Sequence, residues 1–202
     1  MAYSDTTIDA GFLDGAAAPP RYANFGPRLG AALLDFLILI PVTGIAYYFS
    51  ALHPNFTIYL CIFAIAALYK PVMEGLYGAT LGKMILKLKV LTKEGTPITM
   101  VQAFMRWIPW ALGAAASLYV VYNMFQIPGY TDIDGFQENT EFMMEYQKEN
   151  GVNWTDSLIS SLGFILPLVS ALVMLGSNKR MAAHDILAET VVIHTQPKIA
   201  AI

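Results

Sequence analysis

The stretch Arg28-Leu-Gly-Ala-Ala-Leu-Leu-Asp35-Phe-Leu-Ile-Leu-Ile-Pro41 decides the class of this chain. It opens an apolar run of membrane length, with a cation at its entrance and a carboxylate inside it. Arg28 and Asp35 are about two helical turns apart, so they lie on nearly the same helix face. An acid roughly 9 Å past the start of an apolar helix, at about 1.5 Å per residue, is costly in lipid. Its carboxylate must face protein or water. Two readings follow. Arg28 and Asp35 are a buried ion pair that holds helices in register, or they belong to an ion or proton site.

The whole chain has the same character. Of its 202 residues, 56% are hydrophobic and 13% charged, against about a quarter charged in soluble domains. Mean hydropathy is +0.51. The balance predicts an all-α integral membrane protein built as a four-helix transmembrane bundle. The spans are expected at about 28–49, 56–74, 107–122 and 157–175. Tyr47-Tyr48-Phe49 closes the first, as aromatic residues do at a headgroup boundary. Pro71 disfavours helical geometry at Lys70, which predicts a kink or break near the end of the second. Thr99-Met-Val-Gln102 has the spacing of a capping box and opens the third helix. The single cysteine, Cys61, excludes an intrachain disulfide and a thiolate metal cluster. Residues 1–25 carry acids without a basic n-region. They read as a cytoplasmic tail rather than a secretory leader, and residues 196–202 read as a second tail.

Between the second and third spans the chain turns basic, with Lys83, Lys87, Lys89 and Lys93 close together. Leu86-Lys-Leu-Lys-Val alternates with period two, and Lys93-Glu94-Gly95 suits a turn. This predicts a small cytoplasmic elbow and β-hairpin whose lysines, Lys83, Lys87 and Lys89, meet anionic lipid headgroups. Thr190-Val-Val-Ile193 is a second strand candidate, able to pair with Lys87–Leu91. Residues 123–156 form an acidic loop with seven Asp and Glu against Lys148 alone. Phe136, Phe142, Met143 and Tyr146 recur there at helical spacing and predict an amphipathic helix against the bilayer or a partner. Placing 70–106 and both termini on one side gathers eleven of the twelve Lys and Arg there. That side is cytoplasmic by the positive-inside rule. No repeat of 20–50 residues and no inverted-repeat pair stands out.

Four segments together resemble the RDD family of bacterial membrane proteins. Arg28 and Asp35 match the family's arginine and first aspartate, and Asp185 in His184-Asp185-Ile-Leu-Ala-Glu-Thr best matches the second. Tyr77-Gly78-Ala79-Thr80-Leu81-Gly82-Lys83 resembles its central Gly-x-Thr-Leu-Gly-Lys segment. Gln102-Ala103-Phe104-Met105-Arg106 resembles the start of its next helix. Glu189 departs from the pattern, standing where glycine is common before Thr190. The resemblance covers about 22–193, inside a domain bounded at 26–195. It implies a multi-pass protein of the bacterial inner membrane. For some members it implies ion or small-ligand transport, including sodium/proton exchange.

The candidate ion or proton site, or structural ion-pair set, is therefore Arg28, Asp35, Glu74 and Asp185. An antiparallel second helix brings Glu74 to the depth of Arg28, so that either acid pairs with the arginine. Asp185 is expected to take backbone amides or a base among Lys179, Arg180 and Lys83, clamping the C-terminal strand under the bundle. The glycines before Lys83 do not make a phosphate loop, since no Gly-x-x-x-x-Gly-Lys-Ser/Thr pattern is present. Asp132-Ile-Asp134-Gly135 lacks the later ligands of an EF-hand. Catalytic signatures are missing, so no enzyme activity, cofactor, metal or nucleic acid is expected. Two functions remain. One is a cation- or proton-linked transporter using Asp35 and Glu74, with Arg28 as charge regulator and a homo-oligomer completing the pathway. The other is a scaffold or accessory subunit of a membrane complex, docking through 123–156.

Overall fold

The computed structural model describes residues 20–151, 153–176 and 180–195. Most of the expected N-terminal tail, the 196–202 tail and Lys179 lie outside the described residues. The chain is mostly helical. Its elements are α1 (Phe25–Tyr47), α2 (Phe56–Tyr77), α3 (Leu81–Ile85), β1 (Leu88–Thr92), α4 (Met100–Met124), α5 (Phe136–Asn150), α6 (Trp154–Val173), α7 (Ala183–Leu187) and β2 (Thr190–His194). Among the described residues, three helical segments are long and apolar enough to cross a membrane: Phe25–Leu52, Phe56–Tyr77 and Met100–Met124. They cover the first three expected spans, and α6 occupies the fourth expected stretch.

Pro41, Pro71 and Pro109 lie inside α1, α2 and α4, and each helix runs on through its proline. Of the kink or break expected at Lys70–Pro71, the break is absent. An apolar helix has no better place for its remaining backbone groups than its own ladder, so one lost bond does not end it.

The chain forms two compact units. One comprises residues 1–36, 70–108 and 169–202, and the other 37–69 and 109–168. In the second unit, Tyr130 Oη donates to Ser50 O at 2.6 Å, and Gly135 N donates to Leu52 O at 2.6 Å. Phe125, Tyr130 and Phe142 stack edge to face. These contacts seat α5, the helix expected within the acidic loop, against the end of the first apolar segment.

The first unit is built on the small sheet. β1 pairs antiparallel with β2, Leu88 facing His194 and Thr92 facing Thr190. This is the pairing expected between Lys87–Leu91 and Thr190–Ile193; the local hairpin, also expected, does not form as a ladder. The turn does form, with Gly95 at φ 82° and its N–H donating to Thr92 O at 3.0 Å. The return arm makes only a single bridge, Leu91 to Pro97. A proline has no N–H with which to extend a ladder, so β1 takes its partner from the far end of the chain. Leu88, Val90 and Val192 join Ala23, Ala31, Ile98 and Ala103 in one buried cluster.

Two segments of this unit follow the same backbone path. Thr80 (φ −77°, ψ 167°) precedes α3, Leu86 (φ −87°, ψ 10°) ends it, and Lys87 at φ 55° leads into β1. Ala182 (φ −75°, ψ 167°) precedes α7, Ala188 (φ −95°, ψ 3°) ends it, and Glu189 at φ 54° leads into β2. Equivalent residues stand 102 apart, as from residue 80 to 182 and from 87 to 189. Gly78 at φ 71° and Arg180 at φ 53° extend the match. Flanking bonds repeat as well: Thr195 N donates to Lys87 O at 2.9 Å, and Lys93 N to Glu189 O at 3.1 Å. The equivalent residues Val90 and Val192 face each other at the centre of the ladder. The two helix–strand units are thus related by a local twofold axis through that pair.

Candidate functional site

Arg28, Glu74, Lys83, Arg106 and Asp185 of the first unit gather where α1, α2, α4 and the two helix–strand units meet. Arg106 is fully buried and is the sole charged residue of α4. Its Nε donates to Glu74 Oε2 at 2.8 Å, and its Nη1 reaches both Asp185 Oδ1 and Thr190 Oγ1. Arg28 Nη1 donates to the other oxygen of Asp185, while its Nε donates to Ala23 O at 3.1 Å. Lys83 Nζ donates to Glu74 Oε1. Lys70, one turn before Glu74 on α2, adds its charge to the same carboxylate. Each acid is thus gripped by two cations from different elements.

Asp185 also accepts the Ala182 N–H at 3.0 Å, which caps its own helix. Burial works against its charge, but Arg106, His184 and Arg28 together hold its carboxyl far below the usual range. The backbone amide at Asp185 fits the sequence expectation. The bases do not: they are Arg28 of α1 and Arg106 of α4, rather than Arg180 or Lys83.

Asp35 stands apart from this pairing. Thr80 Oγ1 donates to Asp35 Oδ2 at 2.6 Å and Gly82 N donates to Asp35 Oδ1 at 2.7 Å. The carboxylate caps the N-terminus of α3, where unpaired amides and the helix dipole favour a negative charge. So the pair expected between Arg28 and Asp35 is divided: the arginine serves Asp185 and the aspartate serves the elbow. Gly82 is required by the same contact. A Cβ there would lie 2.1 Å from Ala31 O and 2.9 Å from Asp35 N, so only glycine lets α1 and α3 approach. Lys83, expected at the lipid headgroups with Lys87 and Lys89, is turned inward to Glu74 and its side chain is 11% exposed. An unpaired Glu74 would be a buried charge, and the lysine within reach relieves it.

His184 joins α7 to α6. Ser170 Oγ lies 2.7 Å from His184 Nδ1 and accepts the His184 N–H at 3.3 Å. His184 Nε2 lies 3.4 Å from Asp185 Oδ1. Burial pushes the imidazole well below its ordinary pKa, against the pull of Asp185. Ser, His and Asp in this order resemble a nucleophilic triad, but the geometry does not serve one. Ser170 is 2% exposed, and both Asp185 oxygens are already held by arginines. Among the described residues, no group of His, Cys, Asp and Glu is placed to hold a metal ion.

Arg106 is the residue that sequence reasoning undervalued, naming it only in the segment Gln102–Arg106 and not among the candidate site residues. The signal was there: a single arginine in an apolar helix needs a buried partner as much as an acid does.

Helices of membrane-crossing length, joined at one end by a buried lattice of paired charges, define a class of helical membrane proteins. Within that class the chain belongs to the RDD family, whose model matches residues 22–189. The match includes Arg28, Asp35, Glu74, Arg106 and Asp185. Comparisons with curated proteins and with solved structures found no match.

Proposed function

We propose that this RDD-family chain is a multi-pass protein of a bacterial inner membrane, with α1, α2, α4 and α6 as four spans and both termini cytoplasmic. The charge distribution supports this, with eleven of the twelve Lys and Arg on one side and Lys148 among the acids of 123–156 on the other. Within the membrane it works as a non-enzymatic scaffold or accessory subunit of a membrane protein complex. The observation that carries this reading is the double hold on each buried acid: Arg106 and Lys83 on Glu74, Arg106 and Arg28 on Asp185. A carboxylate so paired has little left to offer a passing cation, whereas loss of one partner leaves a buried acid with a single cation. Partners then dock on α5, which has no buried residue and whose acids face solvent.

The second reading is a small cation- or proton-linked transporter using Asp35 and Glu74, with Arg28 as charge regulator. It is favoured by the place of both acids on helices of membrane-crossing length, where ionisable groups commonly mark ion paths. Four helices make a thin wall, so this reading calls for a homo-oligomer.

Vesicles reconstituted with the native chain or with Asp35→Asn, under a sodium or proton gradient, separate the two. The scaffold reading expects flux no greater than in empty vesicles from either protein. It also expects a stoichiometric partner that co-purifies with the native chain and is lost when Glu138, Glu141 and Glu145 are changed to Gln. Flux in the native protein that vanishes in a folded Asp35→Asn variant would replace it with the transporter.

A further inference from the structure

We infer that the elbow carries a discrete site for the phosphate headgroup of one anionic phospholipid, formed by Lys87 and Lys89 beside Tyr77. It rests on the membrane reading above and deepens it.

A cavity of about 230 Å³ opens beside α3, lined by Tyr77, Met84, Lys87, Lys89 and Thr195 among others. Two of these side chains are cations and no acid contributes to the lining. Lys83 is excluded, being held by Glu74. The stem of Lys89 lies over Gly78, where an added Cβ would meet its Cε at 3.1 Å. The missing side chain at Gly78 thus leaves room for the lysine stem beside the cavity. Lys87 is exposed, and its carbonyl is fixed by two bonds from Thr195, at 2.9 Å from N and 3.0 Å from Oγ1.

The identity of residue 87 is not demanded by the backbone. Its counterpart across the local twofold, Glu189, holds φ 54° against 55° with the opposite charge. A lysine kept in a left-handed conformation that glycine would adopt without strain points to a use for its side chain. The apolar surroundings select the ligand. Leu81, Met84 and Ile85 are exposed on one face of α3 at spacings of three and four residues, with Leu76 and Tyr77 exposed at the end of α2. α2 is one of the helices long enough to cross a membrane. An apolar ridge continuous with such a helix, edged by two lysines, complements a molecule with an acyl chain and a phosphate. The occupant is an anionic phospholipid of the surrounding bilayer, with its phosphate on Lys87 and Lys89 and its chain along Met84 and Ile85.

The test uses the full chain in phosphatidylcholine nanodiscs doped with fluorescent phosphatidylglycerol, reading the labelled lipid retained near the protein. Replacing Lys87 and Lys89 together with Gln is expected to reduce retention, by about fivefold per lysine. Replacing both with Arg is expected to preserve it. Lys93→Gln is expected to leave it unchanged, because Lys93 faces Glu189 at 3.3 Å outside the cavity. Inorganic phosphate at millimolar concentration is expected to displace little lipid. Equal retention in the native and doubly neutralised chains overturns the site. So does full displacement by phosphate, which would make this a soluble-anion site. Flotation with vesicles reads the membrane assignment separately. A chain that floats without lysine-dependent retention loses the headgroup site alone, and one that does not float loses both.

Discussion

At the residue scale, the molecule depends on Arg106. It is fully buried and bonded to α2, α7 and β2 at once. Arg106→Leu leaves Glu74 and Asp185 short of a cation and should lower stability by about 3–5 kcal/mol, read as a fall in the unfolding midpoint in detergent. Arg106→Lys should not restore it, because an ammonium cannot serve three partners in the guanidinium plane. A midpoint within a degree of native would remove the lattice from the account. His184 gives a pH prediction. Its folded pKa is depressed, so the unfolded chain binds the proton first as pH falls. Stability is then complete above about pH 6.5 and declines below it, by about 1.4 kcal/mol per pH unit at most. Thermal melts from pH 7.5 to 5 should show that decline, and His184→Gln should flatten it. Asp185 adds no slope in this window, because its folded pKa and its unfolded value of about 3.9 both lie below it.

At the element scale, the two helix–strand units make the sharpest predictions. Lys87 and Glu189 occupy left-handed positions that end α3 and α7. Glu189→Gly should stabilise the fold by about 1 kcal/mol by relieving that strain. Glycine at the neighbouring Ala188, a helix end with negative φ, should not. This also explains the departure seen in the sequence, since the backbone at 189 takes the conformation glycine favours. Gly82→Ala should be severe, because the new methyl meets backbone rather than a movable side chain. Gly26→Ala is the matched control, with nothing within 4 Å of its Cβ. Yields of folded protein from the two variants measure the difference, and equal yields would deny the close approach of α1 and α3. The repeat itself was invisible in the sequence. Of the residues aligned between 78–93 and 180–195, only Val90 and Val192 are identical, and Lys83 and Lys87 oppose Asp185 and Glu189 in charge. What recurs is a set of dihedrals and strand bonds, which many sequences satisfy.

At the scale of the whole molecule, the proposed topology is open to chemical labelling. In a chain with Cys61 changed to Ser, an impermeant maleimide applied outside cells should label Glu145→Cys and spare Lys93→Cys until the cells are opened. Both labelled from outside would reverse the assignment. From the sequence alone came three helices of membrane length, the acidic loop with its short helix, strand candidates at Lys87–Leu91 and Thr190–Ile193, and the family. Each follows from local pattern: runs of apolar residues, the spacing of aromatics, alternation, and motif order along the chain. Only the tertiary structure decided which charges meet. Arg28 passes over Asp35, seven residues away, to bind Asp185, and of the two partners open to β1, its own return arm and Thr190–Ile193, the packed chain takes the second. Local spacing limits what a residue can reach within its own helix. In a buried site, the partner is set by whichever distant element must also neutralise its charge or fill its hydrogen bonds, and that competition is settled only when the whole chain is packed.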